Sequence, residues 1–380
     1  MAHPKIMIIG SDNSGDLYGS KVANLLTRLH PDIILFGMGG PNMRDAGVRL
    51  LYDISDLDNM GVIESIKGAH LIKRLVQRIS ESMERIRPDL VVQIGSPVFN
   101  MRLVELAKAK DIKVVYYNSP LSGNPSSVNA ARFAKVVDKV LAVTHHELEA
   151  CTQAGIDVEF VGHPLMDLIG SSLDKGKTIE ELGLSAQSPI VVVLPGGRGV
   201  EVKTILPVIL RSLKKVRKRR GEIQIIVSLP SVVSQDLVNE IVGNCGLDDV
   251  KVTTSRNDVL AIADAAIVTC GCTSLEAALM RIPSLAVHKV ATTSYLLDKM
   301  LARKTMFAMV NIILQQAVVH EFVQSELTDS RVAKEVERLL SSEEQNQEML
   351  DSFDQLPEHL GNAGSIKRAA EAILAMLEDK

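Results

Sequence analysis

At 380 residues the chain is too long for one ordinary hydrophobic core, so two domains are expected. Its composition, 46% hydrophobic and 23% charged, is that of a globular protein, and a net charge of −4 gives no electrostatic case for nucleic acid. Four scattered cysteines exclude a disulfide framework, and 3% aromatic residues with no tryptophan leave few stacking platforms for bases.

The chain opens on a short apolar run at residues 5–9. It is too short for a signal peptide, and no later stretch reaches the length of a membrane-spanning helix, so a cytosolic chain is expected. Small polar residues follow: Gly10, Ser11, Asp12, Asn13, Ser14, Gly15 and Asp16. They can bond a sugar or a phosphate, yet they form neither the dinucleotide fingerprint nor a P-loop, and a polar turn capping a helix fits the spacing equally well. Val22, Leu25, Leu26 and Leu29 recur at helix spacing and predict a helix over 17–29. Further strands are predicted at 32–36, 90–94, 113–117, 139–143 and 159–161, and a long helix from 63 to about 87 is stopped by Pro88.

Alternating strands and helix-period segments of this kind predict parallel βαβ units, hence an α/β fold. The polar, glycine-bearing stretch 170–177 predicts the interdomain linker. Beyond it the alternation restarts with strands at 190–194, 224–228, 251–253, 265–269 and 284–287. After Val310 the pattern reads as wholly helical, ending in an amphipathic segment at 365–377 suited to crossing back onto the first domain. The expected division is therefore 1–168, 169–345 and a helical tail, 346–380.

Two turns in the second half carry the chemistry. In the first, Ile190 to Leu194 reads as a buried strand that breaks into Pro195-Gly196-Gly197-Arg198-Gly199-Val200-Glu201 and enters a helix. Glycines admit a ligand close to the backbone, the helix start offers unpaired amides, and Arg198 adds a planar cation. In the second, Thr269 leads through Cys270, Gly271 and Cys272 into Thr273, Ser274, Leu275 and Glu276. Thr273 or Ser274 is suited to capping the helix, and Glu276 to accepting hydrogen bonds from ribose hydroxyls. Either turn alone fits an ordinary strand-to-helix connection; together they predict a nucleoside diphosphate site that stabilises a leaving diphosphate without a metal.

Other chemical signals read as structural. Asp56-Leu57-Asp58 follows no apolar strand and reads as a surface loop. His145 and His146, adjacent on a helix, do not face each other, and Cys270-Gly271-Cys272 lacks the second ligand pair of a zinc site. The basic run Lys214, Lys215, Arg217, Lys218, Arg219 and Arg220 reads as a solvated helix end, with anionic lipid as the weaker alternative.

Read in order, the motifs resemble the lipid-A-disaccharide synthase family over nearly the whole chain. They comprise Ser14-Gly15-Asp16, Gly39-Gly40-Pro41 with Met43 and Gly47, Met60-Gly61 with Glu64, and Val161-Gly162-His163-Pro164-Leu165 with Asp167. Leu194-Pro195-Gly196 with Arg198 and Glu201, Gly271 with Leu275-Glu276, Asn311-Ile312-Ile313 and Glu321 with Gln324 complete the set. The resemblance implies a GT-B fold, two Rossmann-like domains facing a cleft. It implies inverting transfer of 2,3-diacylglucosamine from UDP to the 6-hydroxyl of 2,3-diacylglucosamine 1-phosphate, giving UDP and a β-1,6 disaccharide. The donor side would comprise Gly196, Gly197, Arg198, Glu201, Gly271, Thr273, Ser274, Glu276, Asn311, Glu321 and Gln324. The acceptor side would include Ser14, Gly15 and Asn100. Catalysis would fall to Arg198 and to a carboxylate among Asp12, Asp16 and Glu64; no cofactor or metal is called for. Because both substrates carry lipid, transient contact with the inner membrane face is expected.

The chain departs from the family on the acceptor side. An Ile-Asp-Ala-Pro-Asp-Phe-Asn segment is replaced by Ile94-Gly95-Ser96-Pro97-Val98-Phe99-Asn100, which lacks both carboxylates. A tryptophan-bearing segment after Ser119-Pro120 is replaced by Leu121-Ser122-Gly123-Asn124-Pro125-Ser126. Gly197 stands for a serine, and Asp12 for a glutamate. Three readings remain open: the family reaction with a substitute base, a UDP-sugar transferase with another acceptor, and a UDP-sugar-binding protein without turnover.

Overall fold

A computed structural model describes residues 3–55, 66–95, 100–122, 130–169, 174–185, 187–230, 233–247, 249–289, 306–341 and 343–378. Two compact units result, one of Met1–Asp167 with Pro357–Lys380 and the other of Leu168–Leu356.

The first unit is built on seven parallel strands: β1 (Lys5–Gly10), β2 (Ile34–Gly39), β3 (Arg49–Asp53), β4 (Leu90–Ile94), β5 (Lys113–Tyr117), β6 (Lys139–Ala142) and β7 (Val158–Phe160). Their order in the sheet is β3-β2-β1-β4-β5-β6-β7, so the direction of winding reverses between β1 and β4. Central strands read as continuous apolar runs because helices cover both faces of a parallel sheet, and every residue of β4 is buried. Helix Asn13–Leu29 begins four residues earlier than its apolar periodicity suggests, because the polar turn supplies its cap: Asp12 Oδ1 accepts from the Gly15 amide at 2.6 Å. Tyr18, Val22, Ala23 and Leu26 form its buried face.

Residues from 357 onward pack with this first unit, while 346–356 belong to the second. Helix Ser365–Glu378 buries Ile366, Ala369, Ala370 and Ile373, a spacing that makes one apolar stripe, and lies against helix Asn13–Leu29. Polar contacts fix its start. Ser365 Oγ donates to the Gly162 carbonyl at 2.5 Å, Arg368 Nε to the Val161 carbonyl at 2.9 Å, and Asp167 accepts from the Ile366 and Gly364 amides. The Gly162–Asp167 motif therefore receives this helix.

The second unit holds six parallel strands, β8 (Ile190–Leu194), β9 (Gln224–Ser228), β10 (Lys251–Thr253), β11 (Ala265–Thr269), β12 (Ser284–His288) and β13 (His320–Val323). Their order is β10-β9-β8-β11-β12-β13, with the reversal between β8 and β11. Strands β3 and β13 correct the expectation from sequence. Both are short edge strands with few fully buried residues, so neither shows an apolar run, and β13 interrupts the region read as wholly helical. The strand expected at 32–36 runs from Ile34 to Gly39.

The basic helix end is occupied by partners within its own unit. Arg217 donates two parallel hydrogen bonds to Asp249, at 2.8 and 2.7 Å, and also donates to the Ile223 carbonyl; Arg219 reaches Glu337, and Arg220 reaches Ser341 and the Leu340 carbonyl. The run thus closes helix Gly199–Arg220 and ties it to helix Asp329–Leu339. No helix among the described residues is long and apolar enough to cross a membrane.

Candidate functional site

In parallel α/β sheets, ligands bind beyond the carboxyl ends of the strands where the winding reverses. In the second unit this point lies between β8 and β11, and the loops leaving those two neighbouring strands are the two glycine turns. The chain's two candidate phosphate turns therefore emerge side by side.

The turn after β8 is held by Glu201. Its Oε2 accepts from the Gly197 amide at 3.1 Å, and its Oε1 accepts from Arg198 Nε at 3.2 Å and Nη2 at 2.6 Å. Gly196 has φ +123°, and a Cβ there would stand 2.6 Å from Glu201 Oε2, so the fold-back of this carboxylate requires glycine. Arg198 is itself the N-cap of helix Gly199–Arg220, so the guanidinium that Glu201 holds belongs to the residue at the helix start. Glu201 belongs to the frame of the turn, where it orients the arginine.

In the turn after β11, Gly271 is the N-cap of helix Cys272–Leu279, at φ +108°. The expected side-chain caps are absent. Thr273 Oγ1 donates to the Thr269 carbonyl at 2.6 Å and Ser274 Oγ to the Gly271 carbonyl at 2.7 Å, bonds that tie the helix start back to β11 instead of covering its amides. Glu276 is buried, and Arg256 Nη1 meets both of its oxygens at 2.9 and 3.0 Å. Burial raises the Glu276 pKa, while the Arg256 charge and hydrogen bonds pull it back. Arg256, at the start of helix Arg256–Ala261, was not singled out from the sequence; an arginine in a polar turn gives no signal of a partner 20 residues away.

Asn311 and Glu321 form a staple. Asn311 is buried and takes the Val318 and Val319 amides on Oδ1, both at 2.9 Å, while its Nδ2 donates to the Val319 carbonyl at 2.9 Å and to Glu321 Oε1 at 2.7 Å. Glu321 also accepts from the Phe307 and Ala308 amides, 3.0 Å for each shorter bond, and so holds the two residues that lead into helix Met309–Leu314. Together Asn311 and Glu321 fix the segment between that helix and β13. Gln324 follows β13 in a left-handed conformation at φ +53°.

The first unit has its own reversal between β1 and β4, bordered by the turn at Ser11 and Asp12 and by Gly95. A buried chain of bonds crosses it. Ser11 Oγ lies 2.6 Å from Asn100 Oδ1, and Asn100 Nδ2 and the Tyr116 hydroxyl both donate to the Gly95 carbonyl, at 3.1 and 2.8 Å. Asn100 is thereby a brace inside the loop pair. Asp16 is also internal: Oδ1 accepts from the Gly40 amide at 2.7 Å and the Met43 amide at 2.9 Å, and Oδ2 from Asn42 Nδ2 at 2.8 Å and the Asn42 amide at 3.1 Å. Four donors on one carboxylate suit a cap for helix Pro41–Asp45, and a base so engaged would have to break that cap. Ser14 and Gly15 sit in the first turn of helix Asn13–Leu29. Glu64 and the Asp56-Leu57-Asp58 sequence lie outside the described residues, as do residues 96–99 and 123–129.

A cavity of about 740 Å³ lies elsewhere, lined by Arg87, Asp89, Lys110 and Lys113 at the amino ends of β4 and β5, away from these loops. Among the described residues no group of three His, Cys, Asp or Glu side chains could hold a metal ion.

Two parallel-sheet units, each reversing its winding beside its first strand, define the GT-B class of glycosyltransferase fold. Solved structures share it at low sequence identity. A UDP-N-acetylglucosamine 2-epimerase from Listeria monocytogenes, described as putative, superposes with a TM-score of 0.70 at 13% identity, covering 100% of this chain and 98% of that one. Medicago truncatula UGT71G1 complexed with UDP-glucose gives 0.62 at 12%, covering 99% and 98%. The lipid-A-disaccharide synthetase family model matches residues 6–375, and the chain belongs to that family. Lipid-A-disaccharide synthases from Geobacter sulfurreducens and Myxococcus xanthus are 33% and 28% identical to it, over 98% of this chain and 97% and 98% of theirs.

Proposed function

We propose that the protein transfers a diacylglucosamine unit from its UDP form to a glycolipid acceptor, the reaction for which its family is named. The observation that carries this reading is the pair of glycine turns leaving β8 and β11 side by side, with Arg198 oriented by Glu201 in one and Glu276 held by Arg256 in the other. A diphosphate against the first turn would meet helix amides and a guanidinium, which stabilise the charge that develops as UDP leaves. A ribose beside the second would find the Glu276 carboxyl held in place by Arg256. With both substrates bearing lipid, the protein would work at the inner membrane face.

Purified protein is incubated with UDP-2,3-diacylglucosamine and 2,3-diacylglucosamine 1-phosphate, and products are read by mass spectrometry. Disaccharide and UDP in equal amounts are expected. The absence of disaccharide at high enzyme concentration, with UDP still released to another sugar acceptor, would favour the second reading, a changed acceptor. That reading has a specific motive in Gly95 and Val98, which replace the family's two carboxylates. Binding of UDP with no product from any acceptor would leave a non-catalytic protein.

The Arg256–Glu276 pair gives a more local expectation. Arg256→Met should weaken UDP binding in calorimetry while leaving affinity for 2′,3′-dideoxy-UDP nearly unchanged, because only the ribose hydroxyls would meet the Glu276 carboxyl. Equal losses for both nucleotides would remove Glu276 from ribose recognition.

A further inference from the structure

We propose that Asp12 is the general base that takes the proton from the acceptor hydroxyl, filling the place of the carboxylate the family carries at position 95. The inference rests on the transferase reading above. It starts from position: Asp12 ends the loop after β1 and Gly95 begins the loop after β4, the two strands that border the winding reversal of the first unit. Gly95 has φ +80°, and a Cβ built on it would stand 3.2 Å from Asp12 Oδ2 and 3.6 Å from Oδ1. A carboxylate at position 95 would thus project beside the Asp12 carboxylate. Where the family has an acid just after β4, this chain has none, and the acid in reach of the same space follows β1.

The other carboxylates described near this edge are committed elsewhere. Asp16 holds four donors of the segment Gly40–Met43. Glu147 is buried and accepts from the Ser119 amide at 2.6 Å and the Val143 amide at 2.8 Å, joining the loops after β5 and β6. Asp12 is differently placed. Oδ1 takes the Gly15 amide at 2.6 Å as a helix cap, which fixes the side chain's rotamer, and the Ser14 amide also donates to it. Burial is the largest influence on this carboxyl and raises its pKa, the two backbone bonds oppose that, and the neighbouring Asp16 charge adds to it; the Tyr116 phenol is the other titratable group that feels it. A raised proton affinity suits a base that must accept a proton in the transition state.

The step balances within the two substrates. As the acceptor O–H bond breaks, its proton passes to Asp12, and the oxygen forms a bond to the anomeric carbon of the donor. The bond from that carbon to the diphosphate oxygen breaks, its electron pair leaves with UDP, and Asp12 returns the proton to water.

The test compares wild type, D12N, D12S and the double variant D12N/G95D in the disaccharide assay, with UDP affinity by calorimetry and kcat followed against pH. Asparagine and serine both keep an oxygen to cap the helix, so the fold is retained while the base is removed. Each single variant is expected to lose about 10²–10⁴-fold in kcat with UDP affinity unchanged, and the acidic limb of the pH profile should vanish from the residual activity. In the double variant an aspartate, a residue that tolerates positive φ, returns a carboxylate to the family's position and should recover activity at least about tenfold. Near-wild-type kcat in D12N, or loss of activity with the acidic limb intact, overturns the role of Asp12 and leaves the transferase reading standing. Absence of product from the wild type itself overturns that reading, and this inference with it.

Discussion

Lowering the pH from 6.5 to 4.5 should stabilise the H163N variant while leaving the wild type nearly level. His163 is buried in the first unit, its Nδ1 accepts the Leu165 amide at 3.2 Å, and Tyr18 packs edge-on against its ring at 6.0 Å. Burial drives its pKa from 6.5 down to about 3, so the folded state keeps the ring neutral where the unfolded chain would protonate it. Stability from this group is complete above pH 6.5 and is lost as pH falls toward 3, on the order of 4–5 kcal/mol across the whole window. Asparagine retains an acceptor for the Leu165 amide and removes the titration. Glu147 acts with the opposite sign. Burial lifts its pKa from 4.5 to about 7 against the opposing hydrogen bonds from Ser119, Val143 and Thr144, so the folded state holds a proton that the unfolded chain releases. Its contribution is complete below pH 4.5 and is lost as pH rises to 7, on the order of 3 kcal/mol. Between pH 4.5 and 6.5 the two slopes oppose each other, so the wild type should show a shallow net dependence from this pair. Urea unfolding across pH 4–7.5 separates them. H163N should lose stability as pH rises from 4.5 to 7, E147Q should gain it from about 4 to 6.5, and parallel curves for all three proteins would refute the assignment.

Much of the fold was legible because buried parallel strands carry an unambiguous signal. Residues 190–194 are an unbroken apolar run, residues 90–94, 113–117 and 265–269 are apolar at all but one position, and the structure assigns strands over those same residues. What escaped was governed by partners distant in sequence. Strand β13 (His320–Val323) has two polar residues followed by two apolar ones, and its neighbourhood is held by Asn311 and Glu321, a staple that no periodicity records. The candidate site was legible as two turns, and their adjacency follows from strand order, which sequence supplies only through the βαβ pattern. Individual roles were less legible. Asp16, Asn100, Thr273 and Ser274 look like ligand groups in a polar loop, yet each is bonded within the protein, because turns at carboxyl ends of strands need polar side chains for their own backbones. Arg256 was silent for the converse reason: its meaning comes wholly from the buried Glu276 opposite.

Arg198→Ala should weaken UDP binding by about 1.5–3 kcal/mol, roughly ten- to a hundredfold in Kd, the range for a hydrogen bond to a charged group. The arginine is oriented before any ligand arrives, since Glu201 holds Nε and Nη2 from one side and the helix N-cap fixes its backbone. A side chain held in this way loses less conformational freedom on binding than a free one, which makes each of its bonds to a phosphate more effective. The ion pair with Glu201 also limits the effect: part of the guanidinium charge is already balanced, so the expected loss belongs to one oriented donor group and not to an isolated cation. Two companions distinguish orientation from charge. Arg198→Lys keeps the cation but loses the planar fork, and should fall between wild type and alanine. Glu201→Gln leaves Arg198 charged but removes its ionic partner, and a single amide oxygen cannot serve the Gly197 amide and the guanidinium as the two carboxylate oxygens do. If orientation dominates, this variant binds UDP more weakly than wild type; if net charge dominates, it binds more tightly. Calorimetry at two ionic strengths reads both, because a charge contribution shrinks with salt while one from geometry persists. Unchanged UDP affinity in Arg198→Ala would place the diphosphate away from the turn after β8.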